Sequence, residues 1–439
     1  MSKLHLHTFQ DAAQEDSAQE DRVLAWIGEH HENLPTPLYL YSAATLAESA
    51  QSFRSLFPPG ARGFYSLKSN PQPGLMRRFS ELGLGAEVVS PGEWRVARDL
   101  DVETLLVGGV SRSEAFFSQV LRETAPIALV VDSHSEWRRL AAAISDENRA
   151  EEQAEEQAGE QVAVLLRINP GLSFGGLNMA GGTQFGLSPE QAVELARECA
   201  SHPGMTFLGL HIYFGSQRLK SEPVLKALDE IEKVIALFPE DMRPQVIDLG
   251  LGLGVPYLGR DPELDLASLG ADLQEKWRQQ PWSDLDVWFE AGRALVARSG
   301  YFVSRVMEKK ELHDKTFVFL DGGISVHNPG IGVGRFFRDN PRFCFLSRSP
   351  EGGAETVDIV GNLCTSADHL GSGVSAPALE EGDLVVVPNS GAYCTTTGMW
   401  GFNSQGLFAE AVLEEDGNLT MLEAQYHLLT GRGPEDGSL

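Results

Sequence analysis

The chain has 439 residues, is 42% hydrophobic and carries a formal net charge of -27 at pH 7. The length predicts two domains, one of them large, and the acidity argues against nucleic acid or anionic membrane as a partner. No apolar run approaches the roughly 20 residues of a membrane span, and Cys199, Cys344, Cys364 and Cys394 show neither disulfide nor metal spacing, which predicts a reducing cytoplasm and no metal site.

The first segment, MSKLHLHTFQDAAQEDSAQED, is acidic and has no apolar signal core, so export is not expected. From residue 64 onward, short β-rich apolar runs alternate with segments of helical apolar spacing. The runs are 64–67, 86–89, 104–107, 128–131, 162–168, 206–214, 246–249 and 287–289. Between them lie the helical segments PGLMRRFSELG, SEAFFSQVLRE, SPEQAVELARECA and VLKALDEIEKVIALF. Such alternation over about 230 residues is the pattern of a (β/α)8 barrel. The low-complexity acidic stretch DENRAEEQAEEQAGEQ (146–161) reads as a surface insertion.

In a barrel of this kind the chemistry sits at the C-terminal ends of the strands. Lys68 follows the first run, Glu87 and Ser90 end the second, and Asp132 ends the fourth. Arg167 and Asn169 end the fifth, and His211, Tyr213, Ser216 and Gln217 belong to the sixth. DLGLGLGVPY follows the seventh, and Glu290 and Arg293 close the eighth. Each alone has a plain reading: a snorkelling lysine, a satisfied core histidine, an ion pair, glycines for turns. Their convergence on one rim does not. Pyridoxal phosphate (PLP) chemistry unites them. It needs a lysine to hold the aldehyde as a Schiff base (Lys68), a carboxylate at the ring nitrogen (Glu290) and a flat side chain over the ring (His211). It also needs a phosphate cradle, for which Gly250, Gly252, Gly254, Ser216, Gly292 and Arg293 are suited.

The segments FYSLKSNP, GAEVVSPGEW, GLHIYFGSQ, DLGLGLGVPY, FEAGR, GNLCTSADHL and GDLVVVPNSGAY resemble, in order, the motifs of the fold-type III PLP-dependent decarboxylases. That family includes diaminopimelate, ornithine and arginine decarboxylases. The resemblance spans about residues 36–410. It implies an α/β chain: an N-terminal segment (1–35) partly joining the β domain, an alanine-racemase-like, PLP-binding (β/α)8 barrel (36–294), and a C-terminal β domain (295–439). It also implies a homodimer with shared active sites. Under the resemblance Lys68, His211 and Glu290 keep the roles above, and Glu87, Arg167, Ser216, Gly252, Gly292, Arg293 and Tyr393 contact the cofactor. Cys364 matches the thiol offered across the dimer to protonate the substrate carbon after carbon dioxide leaves.

Several positions depart from the family pattern. Leu251 replaces the middle glycine of a GGG, EAGR replaces EPGR, and Tyr213 stands where a second histidine is frequent. Thr365 replaces the acid that holds a distal amine, and VHNPGIGVG lacks the arginine pattern that grips a distal carboxylate. GGLNMAGGTQFGLS (175–188) and LCTSAD resemble members that act in siderophore assembly or on carrier-bound aminoacyl groups. Candidate substrate contacts are therefore Thr365, Asp368, Arg335 and His327. The expected reaction is decarboxylation of an L-amino acid unit within a conjugate such as citryl-diaminopropionate, with carrier-protein-bound groups second. Diaminopimelate or another basic amino acid is the alternative substrate. Glu290 disfavours a racemase, which in this fold carries arginine at the ring nitrogen, and retention of Lys68 and Cys364 disfavours a non-catalytic regulator.

Overall fold

A computed structural model describes residues 4–8, 18–123, 126–153, 161–171, 183–258, 261–280, 283–328, 339–349 and 353–423, with the backbone alone at 148–153. It divides into two compact units. One comprises Ala50–Gly254 and Leu264–Gly292; the other comprises Met1–Ser49, Val255–Glu263 and Arg293–Tyr426.

The first unit is a closed barrel of parallel strands: β1 (Arg62–Ser66), β2 (Gly85–Val88), β3 (Leu105–Val107), β4 (Ala128–Val131), β5 (Val162–Ile168), β6 (Met205–Tyr213), β7 (Val246–Gly250) and β8 (Asp286–Ala291). Closure is made by β8 against β1, with Glu290 in register with Phe64. These are the strands expected from the sequence, shifted by no more than two residues at an end. Their runs are buried on both faces, as parallel strands covered by helices must be. The helices start on local signals. Ser90 caps Pro91–Asp99 by accepting from the Glu93 N–H, and Ser188 with Gln191 forms a capping box at Pro189–Ser201.

The barrel interior is layered. Phe64, Leu106, Ala128, Val130, Leu165, Val246 and Trp288 form one apolar cluster. Side chains alternate along a strand, so the residues two positions onward point the same way. Those residues are Ser66, Asp132, Arg167, Asp248 and Glu290. A greasy floor thus carries a polar layer at the C-terminal mouth.

In the second unit, described strands form a sheet ordered His5–His7, Cys344–Ser347, Leu384–Val387, Gly300–Leu312, Lys315–Leu320, Glu355–Val360 and His369–Ala376. Leu38–Ser42 falls within the range 36–294 expected for the barrel, yet it pairs with Gly300–Leu312 and Ala409–Leu413 of this sheet. All of its residues are buried, which suits an inner strand here. Leu38, Leu40, Tyr301, Val303, Cys344, Leu346, Leu384 and Val386 share the core with Val23, Leu24 and Ile27 of the helix Ala18–His30. No helix among the described residues is long and apolar enough to cross a membrane.

Candidate active site

Lys68 lies in the 3-10 turn Leu67–Ser69 that follows β1. Tyr65 donates to the carbonyl of Asn70 at 2.8 Å and Ser69 to that of Ser66 at 2.8 Å, which pins the turn. The Lys68 Nζ is 3.0 Å from Oε2 of Glu87, with side chains 38% and 4% exposed. Ser66 donates to the same carboxylate. Glu93 accepts from the Val89 N–H at 2.8 Å. Burial, then the charge of Glu87, pushes its carboxyl up to about 7.

Three neighbouring strands contribute His211, Asp248 and Glu290, all buried, each with a polar atom within 4.8 Å of the others. His211 Nε2 is 3.5 Å from Glu290 Oε1. Burial works to raise Glu290, but the pull of His211, reinforced by Lys68 and Asp248, overcomes it and keeps the group below the usual carboxylate range. Asp248 is pushed the other way, by burial first and the Glu290 charge second. Beside them Arg167 sits 3.4 Å from Asp132 and 4.6 Å over the Phe185 ring. Asp132 also accepts from the Gly186 N–H at 2.9 Å, and burial raises it. Behind it the buried Arg112–Glu136 pair holds the end of β4: Glu136 accepts from Arg112 at 2.9 Å and from the Asp132 N–H at 2.9 Å.

The loops after β6 and β7 are knitted together. Arg218 N–H donates to Gly252 at 3.0 Å and Gly254 N–H returns to Arg218 at 2.8 Å. Gly252 has φ +64, and a Cβ there would stand 1.8 Å from the Gly215 oxygen, so this turn requires glycine. Ser216 and Gly252 are thereby adjacent. Leu251 is buried, so the departure from GGG is absorbed as packing.

Within the second unit, Arg293 is buried, donates to Tyr257 Oη at 2.8 Å and lies 4.7 Å over the ring of Tyr393. Cys364 is exposed, and its N–H donates to Asn403 Oδ1 at 2.9 Å. Thr365 Oγ1 accepts from the Ala367 N–H at 3.2 Å. Two expectations need correction. Asp368 is buried, and its carboxylate accepts from the N–H groups of Ile324 and Leu363 at 2.8 Å each. A Cβ at Gly323 or Gly361 would fall 2.2 or 2.3 Å from its oxygens. It is a strut under the Cys364 turn rather than a substrate contact, because its acceptors are committed to backbone donors. His327 is a core histidine. Its ring stacks on Phe302 at 4.4 Å, Nδ1 meets the Tyr39 hydroxyl at 2.9 Å, and burial pushes it down to about 3. Arg335 and most of the 175–188 segment lie outside the described residues.

The family model described as "Pyridoxal-dependent decarboxylase, pyridoxal binding domain" matches residues 43–297. The chain belongs to the pyridoxal-dependent decarboxylases. It is 30% identical, over 82% of this chain and 84% of the relative, to the L-glutamyl-[BtrI acyl-carrier protein] decarboxylase of Niallia circulans. It is 28% identical to diaminopimelate decarboxylase of Zymomonas mobilis, over 86% and 87% of the two chains. It is 26% identical to the 2-[(L-alanin-3-ylcarbamoyl)methyl]-2-hydroxybutanedioate decarboxylase of Staphylococcus aureus, over 82% and 89%. In fold it is similar to the crystal structure of diaminopimelate decarboxylase from Helicobacter pylori complexed with L-lysine, with TM-score 0.78, 23% identity, and coverage of 92% and 98%.

The cofactor of this pyridoxal-dependent decarboxylase is pyridoxal 5'-phosphate. The barrel mouth fits it on its own terms. It offers an accessible primary amine, a carboxylate held ionised, and a buried imidazole whose Nδ1 has no hydrogen-bond partner among the described residues. Three groups sequence reading passed over, Asp248, Glu93 and the Arg112–Glu136 pair, belong to this layer or its support. For Asp248 the signal was present: counting two residues on from the interior Val246 reaches it.

Proposed function

We propose that this enzyme decarboxylates an L-amino acid unit carried on a larger, carboxylate-rich conjugate, with an aminoacyl group on a carrier protein as the second choice. The observation that carries this reading is at the Cys364 turn. The residue after the cysteine is Thr365, and the next acid, Asp368, is buried with its oxygens committed to backbone N–H groups. That turn offers no carboxylate to the distal ammonium of ornithine or lysine. The relatives named for a carrier-bound glutamyl group and for a citrate-like conjugate of alanine support the same direction.

When bound, the cofactor supplies an aldehyde that condenses with amines and a protonated ring that accepts the electron pair left by departing carbon dioxide. Lys68 would hold the cofactor through its aldehyde, and Glu87, 3.0 Å from Nζ, would receive its ammonium group. Glu290 would pair with the ring nitrogen and keep its proton in place, and His211 would pack against the ring. Ser216, Gly252 and Gly292 of the barrel would contact the phosphate, Arg293 and Tyr393 are further phosphate-contact candidates from the resemblance, and Arg167 would contact the cofactor. Cys364 would deliver a proton to Cα, from the partner subunit of a homodimer, in the cytoplasm. Its exposure and the exposed Phe402 and Met399 near its anchor Asn403 support a surface covered by a second copy.

The deciding experiment is carbon dioxide release from free meso-diaminopimelate, lysine and ornithine, from citryl-diaminopropionate, and from carrier-bound aminoacyl groups. Conjugates should be preferred by about tenfold or more, since unmatched polar groups penalise a wrong substrate strongly. Equal or faster turnover of a free diamino acid would overturn the proposal.

A further inference from the structure

The four acids at the barrel mouth outnumber the basic side chains beside them. Glu87 is paired with Lys68, Glu290 with His211 and Asp132 with Arg167. Asp248 is left, fully buried, and among the described residues neither of its oxygens accepts a hydrogen bond. A buried ionised carboxylate ordinarily gathers two or three donors, and two carboxyl groups sharing one site cannot both ionise. Asp248 is in register with His211 on β6 and with Trp288 on β8, two residues before Glu290. The groups facing it are therefore His211 and Glu290, with Glu87 and Lys68 beyond.

We propose that Asp248 is a neutral carboxylic acid that donates its proton in a hydrogen bond to Glu290, fixing that carboxylate's orientation and keeping it ionised. Asp248 is a positioning residue: it acts through Glu290 and touches neither cofactor nor substrate. The inference rests on the reading of Glu290 as the ring-nitrogen partner. Burial and the Glu290 charge both favour the protonated form of Asp248, in agreement with the geometry.

The test uses Asp248→Asn, which keeps a donor but cannot ionise, and Asp248→Ala, which keeps neither. An acid whose folded pKa is raised stabilises the fold below its unfolded value and loses that contribution as pH rises. Cofactor-free wild type should therefore lose unfolding temperature between about pH 5 and about pH 8 more steeply than Asp248→Asn. In the holoenzyme, Asp248→Ala should lower kcat by about tenfold or more, move the acidic limb of the kcat profile upward and weaken cofactor retention in dialysis, with substrate KM little changed. Asp248→Asn should recover most of these losses. An asparagine variant as impaired as alanine, a Tm gap that does not widen with pH, or a stoichiometric divalent cation retained by the three groups would each overturn the proposal. If Asp248→Ala fails to fold, the asparagine comparison decides alone. Failure of the Glu290 reading is separable: Glu290→Gln would then leave kcat intact, while the Tm comparison still reports whether Asp248 is neutral.

Discussion

An ammonium group at a strand end is unusual unless it is paired, accessible or used, and Lys68 is both paired and accessible. Reduction of the holoenzyme with borohydride and peptide mapping should place the cofactor on Lys68, and Lys68→Ala should abolish both the visible absorbance of the bound cofactor and turnover. A label on another lysine would sink the assignment. Glu290→Gln should cut kcat by about a hundredfold or more, because a neutral amide cannot hold a proton on the ring nitrogen. Cofactor affinity should suffer less, as the phosphate is held elsewhere; turnover at the wild-type rate would remove Glu290 from the mechanism. Glu93 gives a pH prediction. Its folded value of about 7 lies above the ordinary 4.5, so its contribution to stability is complete below about 4.5 and fades as pH rises through 7. Glu93→Gln, still able to accept from Val89, should be more stable than wild type at about pH 8 by on the order of 3 kcal/mol, with the difference vanishing near about pH 4. Denaturant unfolding at the two pH values measures it.

At the scale of elements, strands place His211 and Glu290, whereas turns place Lys68 and Cys364. The turn carrying Cys364 is held from two directions, by Asp368 beneath Leu363 and by Asn403 on the Cys364 N–H. Asn403 itself adopts φ 56, a left-handed conformation that asparagine tolerates better than most residues. Asp368→Asn turns an amide N–H2 toward a backbone donor and should cost about 2 kcal/mol or more. It should also free the turn, so alkylation of Cys364 by iodoacetamide should change at least about threefold. Cys199, Cys344 and Cys394 are buried, so early alkylation reports Cys364. An unaltered rate in both Asp368→Asn and Asn403→Ala would show that these contacts do not set the thiol's position. Gly252→Ala tests the other turn: with φ +64 and a Cβ 1.8 Å from Gly215, it should weaken cofactor retention in dialysis.

For the whole molecule, the proposed homodimer makes a prediction no single chain can meet. Inactive Lys68→Ala and inactive Cys364→Ala proteins, mixed and allowed to exchange subunits, should recover up to about a quarter of wild-type activity, since heterodimers carry one site with both native residues. No recovery after verified exchange would place the whole site within one chain. A charge of -27 on each chain would favour solubility of such a dimer through repulsion between assemblies, and the salt dependence of any carrier-protein substrate would follow from the carrier's own charge.

The barrel was legible in the sequence because its strands are short apolar runs separated by amphipathic helices, a pattern set by local chemistry and repeated along the chain. The gathering of Lys68, His211 and Glu290 at one barrel mouth was legible because strand ends mark them. Leu38–Ser42 was not: a five-residue apolar run looks alike in either sheet, and only hydrogen bonding to Gly300–Leu312 and Ala409–Leu413 assigns it. Asp368 and His327 were legible as polar residues near a motif, but burial decided that one supports a turn and the other fills a core. Asp248 depended on closure. By itself it is an acid before a glycine-rich loop, and it becomes a partner of Glu290 because parallel pairing of β6, β7 and β8 stacks three polar side chains on one inner face. The sequence alone determined the family, the cofactor chemistry and the alternating architecture, since each is written in contiguous residues. Tertiary structure decided which acids are free to act, because burial and hydrogen-bond partners come from segments far apart in the chain.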